Sequence, residues 1–206
     1  AISRRNSSDD VLARSVRERF VSEVESVVIE MAATAQGRLS LLAEQAAGAR
    51  EMQDRRDAML LFNRLRAAWV DGVRQAWRQM LATPPATPAR TVPTTRGLSL
   101  VADEDVENRI VASRLSLAIL DKASWELNDL RLRVRQLERI QELPAGDVFQ
   151  PETLPSVIVG QWSAAGLTRE VWLQVVDSVQ PLLVERLVAA YHHANEFLVR
   201  SGVLPE

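Results

Sequence analysis

The side chains able to do chemistry in this 206-residue chain are few and scattered. Its only two histidines, His192 and His193, are adjacent. Neighbouring helical residues point about 100° apart, so this pair cannot close on one metal ion as histidines four residues apart do. General acid–base catalysis needs a histidine or paired carboxylates in an enclosed site. The chain offers no HExxH motif, no G-x-S-x-G nucleophile elbow and no glycine-rich phosphate loop. Cysteine is absent, which removes disulfides, thiolate metal sites and cysteine nucleophiles. Asp103, Glu104, Asp105 and Glu107 spread over several directions within about one helical turn. They suit the positive end of a helix dipole better than a cation site. No catalytic, cofactor-binding or metal-ligating residue is assigned, and no cofactor is expected.

Two groups of residues could bind rather than react. Arg131, Arg133 and Arg135 alternate with apolar residues and are followed by Arg139. This run is the best candidate for reading phosphates on a nucleic acid or a cyclic dinucleotide. Asp129, Glu138 and Glu142 dilute it and no aromatic platform accompanies it. A solvated helix face with internal Glu–Arg pairs competes with that reading, and a nucleic-acid partner is not favoured. The second group is drawn from the five tryptophans. Trp69 and Trp77, eight residues apart, share a helix face and read as core; Trp125 lies in the third long helical segment. Trp162 and Trp172 flank a turn at Gly166. They are the preferred partner surface if exposed, because Trp is a frequent interface hot spot, and core residues if not.

These groups must be positioned by helices. Ser7-Ser8-Asp9-Asp10 reads as a helix start. Val11, Leu12, Val16, Phe20, Val24, Val27, Val28 and Met31 then recur at mostly three- and four-residue steps, a single apolar stripe that continues through Leu39 and Leu42 towards Gly48. A second stripe runs from Ala58 to Met80 on a helix expected over about Asp54 to Leu81, antiparallel to the first. Pro84, Pro85, Pro88 and Pro93 make 83–97 an extended linker; its P-x-x-P spacing is a weak signal for a partner groove. Asp103 is the expected N-cap of a long helix whose stripe is Val106, Ile110, Leu115, Ala118, Ile119, Ala123, Leu127, Leu130, Val134, Leu137 and Ile140, with no breaker before Pro144. Pro151 is expected to open a helix ending near Trp162, with Pro155 disturbing it early. Thr168 is the expected cap of a short helix, and Pro181 the start of a separate last one with Leu183, Leu187, Ala190, Tyr191, Ala194 and Leu198 inward. No strand pattern is visible.

The fold class is therefore all-α and bundle-like, with a helical hairpin over 1–82, a Pro-rich linker over 83–97, and over 98–206 a helical domain of one long helix and a C-terminal hairpin. An apolar fraction of 47% and a charged fraction of 25% are ordinary for a globular chain. A net charge of −2 creates no global pull towards nucleic acid or anionic membrane. Lys122 is the sole lysine, an arginine bias that suits phosphate contacts but also follows from a GC-rich genome. No run of about 18 apolar residues spans a membrane and the first residues lack the apolar core of a secretion signal, so a cytoplasmic location is expected.

Three passages, MQDRRDAMLLFNRLR, LSLVADEDVENRIVASRL and LVERLVAAYHHANEFLVRSGVLPE, occur in this order. Together they resemble a family of large bacterial proteins of unknown function sometimes labelled thymidine phosphorylase-like, covering roughly residues 10–206 apart from the Pro-rich linker. The matching residues are Leu98 to Val101 with Glu107, Tyr191 with Asn195, and Gly202 to Pro205. The resemblance implies the N-terminal part of a longer helical protein. It carries no established activity, catalytic residue or cofactor, and no phosphorylase site is visible here; some relatives are thought to act near cyclic-dinucleotide signalling. Residues and resemblance converge on a non-enzymatic helical interaction or regulatory scaffold module. Its partner would be another protein or a second copy, met through spare apolar positions such as Val11, Val28 and Ile29.

Overall fold

The computed structural model describes residues 2–82 and 100–204, with side chains from 7 and from 103 onwards in the two stretches. The Pro-rich linker at 83–97 lies outside the described residues. Five helices follow in order: α1 (Ile2–Glu44), α2 (Ala49–Ala82), α3 (Leu100–Glu138), α4 (Thr153–Ala164) and α5 (Arg169–Arg200). No strand occurs among the described residues. The helices close a ring, α1 against α2, α2 against α4, α4 against α3, α3 against α5 and α5 against α1, with α1 also touching α3. One apolar core fills it and runs without a break from the 1–82 hairpin into 98–206.

Each helix enters the core through the stripe its sequence provides. From α1 come Val16, Phe20, Val24, Met31 and Leu39, and from α2 come Phe62, Trp69, Val73 and Trp77. Val28 belongs to this buried set, whereas Val11 and Ile29 are exposed, so only two of the three spare positions are spare. Phe62, Trp69, Trp162 and Trp172 form a run of edge-on rings joining α2, α4 and α5, with centroids 5.0 Å apart for Trp69–Trp162 and 5.1 Å for Trp162–Trp172. The Trp69 indole donates to the Ile158 carbonyl at 3.0 Å, and the Trp162 indole to the Thr168 carbonyl at 2.8 Å. Both rings therefore bury their apolar area without stranding the N–H.

Two arginine clamps close the ring. Glu25 is buried on α1 and accepts a fork from Arg78 of α2, with Arg74 4.0 Å away. Arg17 of α1 donates to Glu138 at the end of α3 and to Asp147 in the following loop, each at 2.8 Å, and its guanidinium lies 5.4 Å from the centre of the Phe149 ring. Burial alone would lower the Arg17 pKa, but the bonds and charges of Glu138 and Asp147 outweigh it and hold the cation above its ordinary value. Removing one partner from such a clamp strands the other, which is why buried pairs are costly to break.

Helix boundaries depart from the sequence reading in instructive ways. α1 begins before Ser7 to Asp10, and α3 begins at Leu100, which puts Asp103 in the first turn rather than at the cap. α3 ends at Glu138, well before Pro144, because Arg139 adopts a left-handed φ of 57°; only glycine and asparagine advertise that conformation in a sequence. Pro155 sits in the first turn of α4, where its missing N–H has no helical acceptor to lose. Thr168 caps α5 as read, accepting from the Val171 N–H at 3.3 Å. Pro181 starts nothing: α5 runs through it as one helix. Val175 and Val179 before it, and Leu183 and Leu187 after it, are all buried on the same side, and that burial outweighs the lost hydrogen bond. An interior proline costs about 3 kcal/mol or more. Pro181→Ala should therefore raise the unfolding free energy by at least about 1 kcal/mol, read by denaturant titration; a neutral or lower value would show that the proline is accommodated without strain.

Candidate functional site

No three His, Asp or Glu side chains converge to hold a metal ion among the described residues. His192 and His193 diverge as their adjacency requires. His192 lies 3.0 Å from Glu126 on α3, and His193 lies 2.6 Å from Glu23 on α1. Each histidine binds α5 to a different neighbour.

The polar centre beneath His192 is Asn195, buried on α5. Its amide donates to both the backbone carbonyl and the side chain of Glu126, at 2.8 and 3.0 Å, and its oxygen accepts from Arg133 at 2.9 Å. Arg133 also donates to the Leu204 carbonyl at 3.3 Å and lies 3.5 Å from Asp129. It thereby holds the chain that follows α5 against α3. That segment is a built stop: Gly202 has φ 81°, the Gly202 N–H reaches Val199, and the Val203 N–H reaches back to Leu198 at 2.9 Å. This paired closure is the Schellman end of a helix, and it needs the left-handed residue that glycine supplies.

The candidate arginines do not share a face. Arg131 is half-buried and donates to Gln150 at 3.0 Å, Arg133 is turned inward as described, and Arg135 alone is exposed. Residues two apart on a helix point to different sides, so the alternation that marks the run also divides it. Trp162 and Trp172 are 3% and 4% exposed and belong to the core. Their edges floor a cleft of about 320 Å³ between α3, α4 and α5, whose mouth is crossed by the Arg169–Glu107 ion pair at 2.7 Å. A shallower hollow of about 610 Å³ lies between α1 and α5, where Arg19 sits 4.5 Å from the centre of the Phe197 ring.

The tryptophan that faces solvent is Trp125, 86% exposed on α3. α3 buries Leu115, Ile119, Leu127, Leu130 and Val134 against α4 and α5. On the side away from that core stand Ile110, Leu117, Trp125 and Leu132, exposed by 47%, 65%, 86% and 53%. At 3.6 residues per turn these four lie within about 80° of arc, centred about 180° from the buried face. Val106, 51% exposed, extends the line at its N-terminal end. Val106 and Ile110 thus leave the inward stripe to which their three- and four-residue spacing had assigned them. The signal that separates the two faces was present in the steps of seven, eight and seven from Ile110 to Leu132.

A family model described as "Protein of unknown function (DUF1631) N-terminal domain" matches residues 8–202. The chain belongs to this family. No curated protein and no solved structure matches it. In this DUF1631 domain four residues of the second and third passages join or end helices. Tyr191 stacks on Phe20 at 5.3 Å, Asn195 locks α5 to α3, Gly202 ends α5, and Glu107 meets Arg169. Leu98 and Ser99 lie outside the described residues, as do the side chains of Leu100 and Val101.

Two measurements check this reading. Asn195→Ala removes one of the acceptors of the inward Arg133 guanidinium and the side-chain donor to the Glu126 carbonyl, and should lower stability by about 1–3 kcal/mol in chemical unfolding. Burial pushes the pKa of Tyr191 above its ordinary value, with Arg131 lowering it and Glu152 raising it by lesser amounts. The fold therefore favours the neutral phenol. The stability this provides is complete below about pH 10, the unfolded value, and is lost as pH rises above it. Tyr191 is the only tyrosine, so tyrosinate absorbance should appear together with loss of helical circular dichroism; ionisation near pH 10 with the helices intact would contradict it.

Proposed function

We propose that this domain acts without catalysis, as a cytoplasmic helical protein–protein interaction or regulatory scaffold module, and that it meets its partner through the outer face of α3. The observation that carries the reading is the line Ile110, Leu117, Trp125 and Leu132, exposed directly opposite the helix's buried face. Single apolar residues on a surface are ordinary; an aligned series centred on a tryptophan is the composition of an interface core. The remainder of the domain supports a rigid presenting role. α3 is fixed along its inner side by Asn195 and Arg133 and at its end by Arg17, and a preorganised face loses little freedom on binding. No helix among the described residues is long and apolar enough to cross a membrane. Phosphate recognition by Arg131, Arg133 and Arg135 has less in its favour, since two of the three side chains are engaged inside the protein.

The test uses Trp125→Glu. The side chain touches solvent on most of its surface, so helical content and melting temperature should match the unsubstituted chain. Partner protein retained on the immobilised chain after a salt wash should fall by at least about tenfold, the loss expected for a tryptophan hot spot. An unchanged retained set would remove α3 as the interface. A salt-dependent shift with RNA, DNA or a cyclic dinucleotide that Arg135→Glu abolishes would replace the reading with phosphate recognition.

A further inference from the structure

We infer that the outer face of α3 is built to pair with the same face of a second copy of this chain, the two helices running antiparallel about a two-fold axis at Asp121. This rests on the interaction reading above and names the partner. An interface between identical subunits related by a two-fold axis must be complementary to itself, residue i meeting residue j and j meeting i. The apolar line has that property in its spacing. From Ile110 to Leu117 is seven residues, from Leu117 to Trp125 eight, and from Trp125 to Leu132 seven again, so the series reads the same from either end. Laid antiparallel with Asp121 at the centre, each Ile110 faces the other copy's Leu132 and each Leu117 faces the other copy's Trp125.

The charges follow the same symmetry. The register that aligns the apolar residues sets Glu107 against Arg135, both exposed. It places Arg114 opposite Asn128 and one step from Asp129. At the axis the two Asp121 carboxylates meet, each with its own Lys122 amine 3.6 Å away, so the central cluster is neutral. Arg135 gains in this arrangement an acidic counterpart at its own level. Glu107 already pairs with Arg169 at the mouth of the cleft and would be shared between the two. Val106 would lie over Gln136, which breaks the apolar symmetry only beyond the outermost pair. Ile110 and Leu132 are about 33 Å apart along the helix at 1.5 Å per residue, a seam of three turns on each side of the axis.

The experiment is sedimentation of the whole chain over a concentration series, with cysteine cross-linking to fix the register. The dimer should dissociate at least about tenfold more readily with Trp125→Glu. It should weaken several-fold with Arg135→Glu, and Glu107→Arg added to that variant should restore it. The chain has no cysteine, so Asp121→Cys under mild oxidant should give a covalent dimer while Glu170→Cys on α5, also exposed, does not. Ile110→Cys should cross-link to Leu132→Cys from a second preparation and not to itself. A chain that sediments as a monomer throughout, a dimer indifferent to Trp125→Glu, or equal cross-linking at 121 and 170 overturns the self-pairing. If the chain is monomeric and Trp125→Glu still strips a retained partner, only the identity of the partner falls; if neither effect is seen, the interaction reading falls with it.

Discussion

α5 has to bury two of its faces at once, and the remaining helices are arranged around that requirement. One face carries Tyr191 onto Phe20 of α1, the other places Asn195 against Glu126 of α3. Its continuous run of buried valines and leucines from Val171 to Leu198 cannot be covered by a single neighbour. The adjacent histidines restate the geometry at the surface, His193 reaching α1 and His192 reaching α3. α2 and α4 then close the opposite side of the ring through Trp69 and Trp162.

The polar contacts inside this arrangement select among ways of packing it. Apolar stripes are tolerant of sliding by a turn, because one aliphatic contact replaces another. Glu25 with Arg78, Arg17 with Glu138 and Asp147, and Asn195 with Arg133 and Glu126 are less tolerant, since the inward Glu25, Arg17 and Asn195 would each lose partners if their helices shifted. They lie at the α1–α2, α1–α3 and α3–α5 boundaries. Register is thereby specified where the apolar contacts leave it loose, and α3 is held with one side inward and the other presented to solvent.

Both histidines and several carboxylates, among them Glu23, Glu25, Glu126 and Glu138, join helices to one another. Among the described residues, α3 carries the aligned exposed apolar side chains Val106, Ile110, Leu117, Trp125 and Leu132. Its residues cost the folded domain an exposed tryptophan, which a partner would cover.

The helices themselves were legible because apolar residues at three- and four-residue steps leave no other economical conformation, and prolines and glycines mark many of the breaks. Thr168 as a cap, Trp69 and Trp77 as core and the length of α3 all follow from such local rules. The ends of α3, the passage of α5 through Pro181 and the inward turn of Arg133 did not, because each depends on what lies across from the residue in space. The same holds for the choice between Trp125 and Trp162 or Trp172 as the exposed ring. Periodicity states that a helix has an apolar side; on α3, where Ile110 and Leu117 stand opposite Ile119 and Leu130, it states that there are two. Which of the two meets α4 and α5 is decided by volume and by the position of Asn195, and only the folded core supplies those.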